Sequence, residues 1–267
     1  MYKFSSVLPI TYNNILNYNP LEQFEVYSSI NVSTVSTIFS ITNIAIFLTL
    51  SFVILIISMI SLNSLSIKPS RWNIALETLI TSILGMIKDQ LGNDKNSLIY
   101  FPLIISLFTF IFLANILGMI PYSFTPTSHI IVTIGFSIAI MVGVTIIGFS
   151  KYKTDFFSLF VPSGTPIALV PLLTLIEFIS YIARAFSLAL RLSVNVTAGH
   201  SLFGVISMLS YSALIGASSL ITKTLTIALP LLILVPLYGL ELVVAILQAY
   251  VFTLLTISYL RDVMLMH

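Results

Sequence analysis

Between Ile41 and Leu62 the chain runs for 22 residues, ITNIAIFLTLSFVILIISMISL, without a charged side chain. At about 1.5 Å per residue, a helix of that length just spans a hydrocarbon core of about 30 Å. A helix also satisfies each backbone N–H and C=O internally, which lipid demands. Two further runs have the same character, 98–120 (LIYFPLIISLFTFIFLANILGMI) and 129–149 (HIIVTIGFSIAIMVGVTIIGF). The segment between them, PYSFTPTS, carries the helix breakers Pro121 and Pro126, so the two runs are expected to form an antiparallel hairpin. Charged residues make up 7% of the 267 positions, against roughly a quarter in soluble domains. The mean hydropathy is +1.09. The chain therefore reads as an all-α integral membrane protein.

Composition also excludes several chemistries. There is no cysteine, hence no disulfide framework, thiol nucleophile or thiolate metal site. Neither a metal nor an organic cofactor is expected. The net charge is +2 and the basic residues stand singly, so nucleic acid is not an expected partner.

In chain order, residues 1–40 form a polar N-terminal segment and 41–267 a single membrane domain. Residues 71–92, RWNIALETLITSILGMIKDQLG, place Ile80, Ile83, Leu84 and Ile87 at helical spacing among Glu77, Lys88 and Asp89. That pattern gives an amphipathic helix lying in the interface or packed on protein. The remaining helices are expected at 41–62, 98–120, 129–149, 165–212 and 224–260. The last two exceed the roughly 20 residues a crossing needs, so they must tilt strongly or leave the membrane, as an antiparallel pair joined near Gly216 to Lys223. Five crossings put Lys68, Arg71, Lys88, Lys95, Lys151, Lys153 and Arg261, seven in all, on one side and only Lys3 and Lys223 on the other. The positive-inside rule turns the seven-residue side toward the bacterial cytoplasm or the mitochondrial matrix.

Charges inside these helices ask for a mechanism, because one at mid-membrane costs roughly 2.5 to 3.5 kcal/mol on insertion scales. Glu177, Arg184 and Arg191 are seven residues apart, and at about 100° per residue they share one face, with Asn195 slightly off it. His200 lies nine residues beyond Arg191, about half a revolution away, and so addresses a different neighbour. Glu241 and Gln248, again seven apart, share a face of the last helix. Histidine and carboxylates exchange protons, whereas a guanidinium with a pKa above about 12 does not. Arg191 thus reads as a fixed positive barrier between two titratable clusters. Its i±3 and i±4 neighbours are Leu188, Ser187, Val194 and Asn195, so its counter-ion should come from a partner chain.

Blander roles stand beside these. Arg184 can snorkel or pair with Glu177, while Asn115, Asn195 and Gln248 can bond between helices. His129 is read as interfacial, and Arg261 and Asp262 as marking the membrane exit. A self-sufficient secondary transporter is the main alternative, although its usual repeated halves are absent from the sequence. A non-conducting assembly subunit is the second.

ALRLSVNVTAGH (Ala189 to His200) resembles the arginine helix of subunit a of F-type ATP synthases in their mitochondrial form. The resemblance extends to NPLEQFE (Asn19 to Glu25), ANILGMIPYSFTPTSH (Ala114 to His129) and ELVVAILQAYVFTLLTISYLRD (Glu241 to Asp262), in order along nearly the whole chain. It implies a stator subunit, not an enzyme on its own, that works against the ring of c subunits beside other membrane and peripheral-stalk subunits. It implies that Arg191 faces the ring carboxylate. His200 and Glu241, with Asn195 and Gln248 near the junction, match the inlet half-channel from the intermembrane space, and Glu177 matches the outlet to the matrix. It further implies the mitochondrial inner membrane, the N-terminus toward the intermembrane space, the C-terminus toward the matrix, and removal of a short leader ahead of about Asn19.

Overall fold

The computed structural model describes residues 22–31, 40–62, 71–92, 97–120, 123–161, 166, 169–216 and 220–264. Six α-helices follow one another: α1 (Asn43–Leu62), α2 (Arg71–Leu91), α3 (Phe101–Met119), α4 (Ile130–Tyr152), α5 (Val170–Gly216) and α6 (Leu220–Met264). A short antiparallel ribbon, β1 (Ser28–Asn31) with β2 (Ser40–Thr42), precedes them and departs from the expected all-helical pattern. The expected leader, the break at Pro121 and residues 217–219 of the expected connection lie outside the described residues.

Local chemistry sets the helix ends. The Thr42 hydroxyl accepts from Ala45 N at 3.4 Å at the start of α1, where the first turn has N–H groups without partners. Pro102 stands in the first turn of α3, where its missing N–H loses nothing. α4 ends at Lys153, whose φ of 51° cannot continue a right-handed helix. Pro230 and Pro236 lie inside α6, which nonetheless continues through both.

Among the described residues, four helical stretches are long and apolar enough to cross a membrane: Leu98–Met119, Ile130–Tyr152, Val170–Ile215 and Lys223–Met264. In α1 the apolar stretch is shorter, Asn43–Ser58. At about 1.5 Å per residue the 47 residues of α5 extend for roughly 70 Å, more than twice the hydrocarbon thickness.

The core forms where α3 packs on α6, α4 on α5, and α5 on α6. Ile104 and Ile111 of α3, Leu188 and Leu192 of α5, and Ile257 and Leu260 of α6 are almost wholly enclosed there. α2 adds Ile83, Ile87 and Leu91 from its apolar stripe and leaves Glu77, Lys88 and Asp89 exposed. Conversely, Phe52, Val53, Ile56, Ile57 and Ile60 of α1 point outward, as suits a helix whose surroundings are hydrocarbon.

Polar side chains fasten the interior. Asn115, 3% exposed, donates from Nδ2 to the Ala245 carbonyl of α6 at 3.3 Å and accepts from Thr127 Oγ1 at 3.0 Å. Ser137 of α4 donates to the Ala185 carbonyl of α5 at 2.6 Å. Asn115→Ala removes both bonds and strands the Thr127 hydroxyl. It should destabilise the protein by about 1–2 kcal/mol, read as a lower melting temperature in detergent micelles.

Candidate functional site

Arg191 stands on an open face of α5. A shallow concavity of about 840 Å³ is lined by α5 alone, and Phe186, Leu190, Val194 and Asn195 join Arg191 there. Arg191 makes no ion pair or hydrogen bond among the described residues. Behind it, buried Tyr259 of α6 lies within electrostatic reach of both Arg191 and Arg184. A guanidinium framed by exposed Phe186, Leu190 and Val194 has no partner across from it among the described residues.

Glu177 and Arg184 do not share that concavity. Arg184 reaches toward α6, where Nη1 donates to Asp262 Oδ2 at 3.2 Å while Nη2 donates to Glu177 Oε1 at 3.1 Å. The pairing of Arg184 with Glu177 accords with their spacing. Asp262 was read from the sequence only as a mark of the membrane exit, and nothing local in the chain connects it to Arg184. All three groups are partly open, with side-chain exposures of 31% for Arg184, 37% for Glu177 and 50% for Asp262.

A second cluster lies roughly 24 Å further along α5, at sixteen residues of helical rise from Arg184. His200 Nε2 is 3.8 Å from Glu241 Oε1 of α6 and 3.2 Å from Thr125 Oγ1. Both side chains are largely enclosed, at 17% and 10% exposure. Glu241 Oε2 is buried with no hydrogen-bond partner among the described residues. His200 and Glu241 border a cavity of about 710 Å³ that also touches Phe203, Ser207 and Tyr238.

Two glycines make room for this pair. A methyl group at Gly199 would stand 2.5 Å from Glu241 Oε1, so only a residue without Cβ lets the carboxylate lie across α5 there. A methyl at Gly118 would collide with Thr125, which holds His200. Thr125, Gly118 and Gly199 were not singled out from the sequence. Small and hydroxyl residues are common in membrane proteins, and only the crossing of α5 and α6 gives Gly199 its role, as the packing of the α3–α4 connection on α5 does for Gly118 and Thr125.

Asn195 is exposed beside Arg191, whereas Gln248 is buried, 8% exposed, on the face of α6 that also carries Glu241. His129 caps the start of α4 and stacks on Phe124 with ring centroids 5.1 Å apart. Burial holds its imidazole below the ordinary range and so favours the neutral ring.

Helices long enough to cross a bilayer, with paired ionisable groups toward both ends of α5 and an unpaired arginine between them, define a multi-pass membrane protein equipped to handle charge. Comparison with known proteins makes the class specific. The family described as ATP synthase A chain matches residues 41–261. ATP synthase subunit a of Allomyces macrogynus is 67% identical over 254 residues, covering 93% of this chain and 97% of the relative. That of Mycosarcoma maydis is 46% identical over 256 residues, covering 94% and 99%. That of Marchantia polymorpha is 41% identical over 252 residues, covering 93% and 99%. The chain belongs to the ATP synthase subunit a family.

The glycine notch gives a graded expectation for ATP synthesis by the assembled complex. Gly199→Ala should lower the rate by pushing the Glu241 carboxylate away from His200, and Gly199→Val should lower it further. Gly135→Ala, where nothing lies within 4 Å of the added methyl, should be tolerated.

Proposed function

We propose that this chain is the stator side of a proton path in the ATP synthase membrane sector, with Arg191 as the charge barrier between an inlet and an outlet half-channel. The supporting observation is a guanidinium on an open face of α5, unpaired among the described residues, with acid–base clusters on either side. Such a face suits a partner that brings a carboxylate, and a rotating ring of c subunits is that partner in this reading.

The proton enters at the His200 and Glu241 cluster, with Asn195 and Gln248 near the junction. It neutralises a ring carboxylate, which can then turn into lipid without the cost of an exposed charge. After a near-complete revolution the carboxylate ionises beside the outlet, where Glu177 and Asp262 accept the proton and Arg184 orients both acids. Arg191 attracts the ionised carboxylate in between and repels a proton that would cross directly. Each charge moved across the membrane potential supplies about 2.3 kcal/mol per 100 mV.

In this reading α1 is a crossing too, so the chain spans the mitochondrial inner membrane five times, with α2 in the interface beside other membrane and peripheral-stalk subunits. The N-terminus faces the intermembrane space and the C-terminus the matrix, as the basic-residue asymmetry suggests. Family membership favours this stator role over a self-sufficient transporter.

Arg191→Ala and Arg191→Lys should both abolish ATP-driven proton pumping in the assembled complex, since the compact ammonium of lysine does not reproduce the planar guanidinium. Pumping at the parental rate by either variant would remove the barrier role. His200→Ala and Glu177→Gln should slow pumping less, because water can stand in for each group. Cysteines placed at Phe186 or Val194, in a chain that has none of its own, should cross-link to ring helices.

A further inference from the structure

The cavity that holds His200 and Glu241 has one wall that none of the α-helices α1 to α6 supplies. Gln23, Glu25 and Tyr27 of the N-terminal segment line it opposite α5 and α6. The segment is tied down: Asn43 Nδ2 donates to the Glu25 carbonyl at 3.2 Å, and Asn43 N donates to the Tyr27 carbonyl at 3.1 Å. Immediately beyond, β1 pairs with β2, which leads into α1. Phe24 meets the His200 ring edge-on, with centroids 6.4 Å apart and planes at 78°.

This wall carries a second carboxylate. The Tyr27 hydroxyl donates to Glu25 Oε2 at 2.6 Å, and the side chain is exposed. The titratable groups around the cavity are Glu25, Tyr27, His200, Tyr238 and Glu241, and no lysine or arginine lines it among the described residues. Low-dielectric walls concentrate the field of ionised acids, so such a space draws in cations, hydronium among them. At the inner end, Glu241 Oε2 is buried without a hydrogen-bond partner among the described residues and offers an acceptor to whatever proton arrives.

We propose that the strap Gln23–Tyr27 completes the inlet, with Glu25 as its outer proton acceptor and Phe24 as the positioning residue that seats the strap against His200. The inference rests on the inlet reading of His200 and Glu241. No electrons move in the step. An O–H bond breaks on hydronium and one forms on the Glu25 carboxylate, then the reverse exchange returns the proton to cavity water on its way to His200 and Glu241.

The test is ATP synthesis by the assembled complex in vesicles, with the pH on the inlet side varied and assembly checked on native gels. E25Q should lower the rate several-fold, with the loss growing as inlet pH rises and hydronium becomes scarce, and E25D should recover most of it. F24A should give the same pH-dependent loss, and F24Y should recover it. In case E25Q reduces assembly, E25C provides a second measurement. Its thiol should react with a membrane-impermeant maleimide only from the inlet side, and the reaction should slow synthesis. Parental rates for E25Q at every inlet pH, beside a slowed H200A, would overturn this inference alone. A parental rate for H200A as well would overturn the inlet reading beneath it. Labelling of E25C from the opposite side, or without effect on the rate, would also overturn the inference.

Discussion

A charge that cannot be neutralised, held where water is scarce, is the constraint on which the rest of this structure depends. The guanidinium of Arg191 makes no pair within the described residues. Leaving it so costs several kcal/mol unless something opposite supplies a negative charge. The other side chains lining its face are uncharged. The face is therefore complete only in a complex, and family membership in an ATP synthase subunit agrees with that.

The two acid–base clusters are built differently, and the difference follows from burial. Near Arg184 the groups are half-open, and one guanidinium with five donors holds two carboxylates from separate helices. Near His200 the groups are enclosed, without a fixed cation, and the space for Glu241 comes from the missing side chain at Gly199. Salt and water screen the first cluster far more than the second. The helices that carry them are braced by buried polar contacts such as Asn115 to Ala245 and Ser137 to Ala185, which leave few donors stranded in the core.

Much of this was legible in the chain. Uncharged runs announce the crossing helices, because lipid admits little else, and the periodicity of residues 71–92 announces a one-sided helix. The nine-residue separation puts Arg191 and His200 on different faces by arithmetic alone. What could not be read was anything set by the crossing of distant segments. Asp262 is 78 residues from Arg184. Thr125 is 75 residues from His200. Gly199 has no side chain to draw attention, and its meaning is the carboxylate it admits from α6. The β1–β2 ribbon falls in a polar stretch whose composition favours no regular element, and only pairing across the chain defines it.

The Arg184 clamp has one more property. With both acids ionised the trio carries a net charge of −1, and taking up a single hydrogen ion on either oxygen pair brings it to zero. In each case one ionised carboxylate stays bonded to the guanidinium. Only Asp262 stands on α6, so the electrostatic fastening between α5 and α6 holds when Glu177 takes the hydrogen ion and loosens when Asp262 takes it.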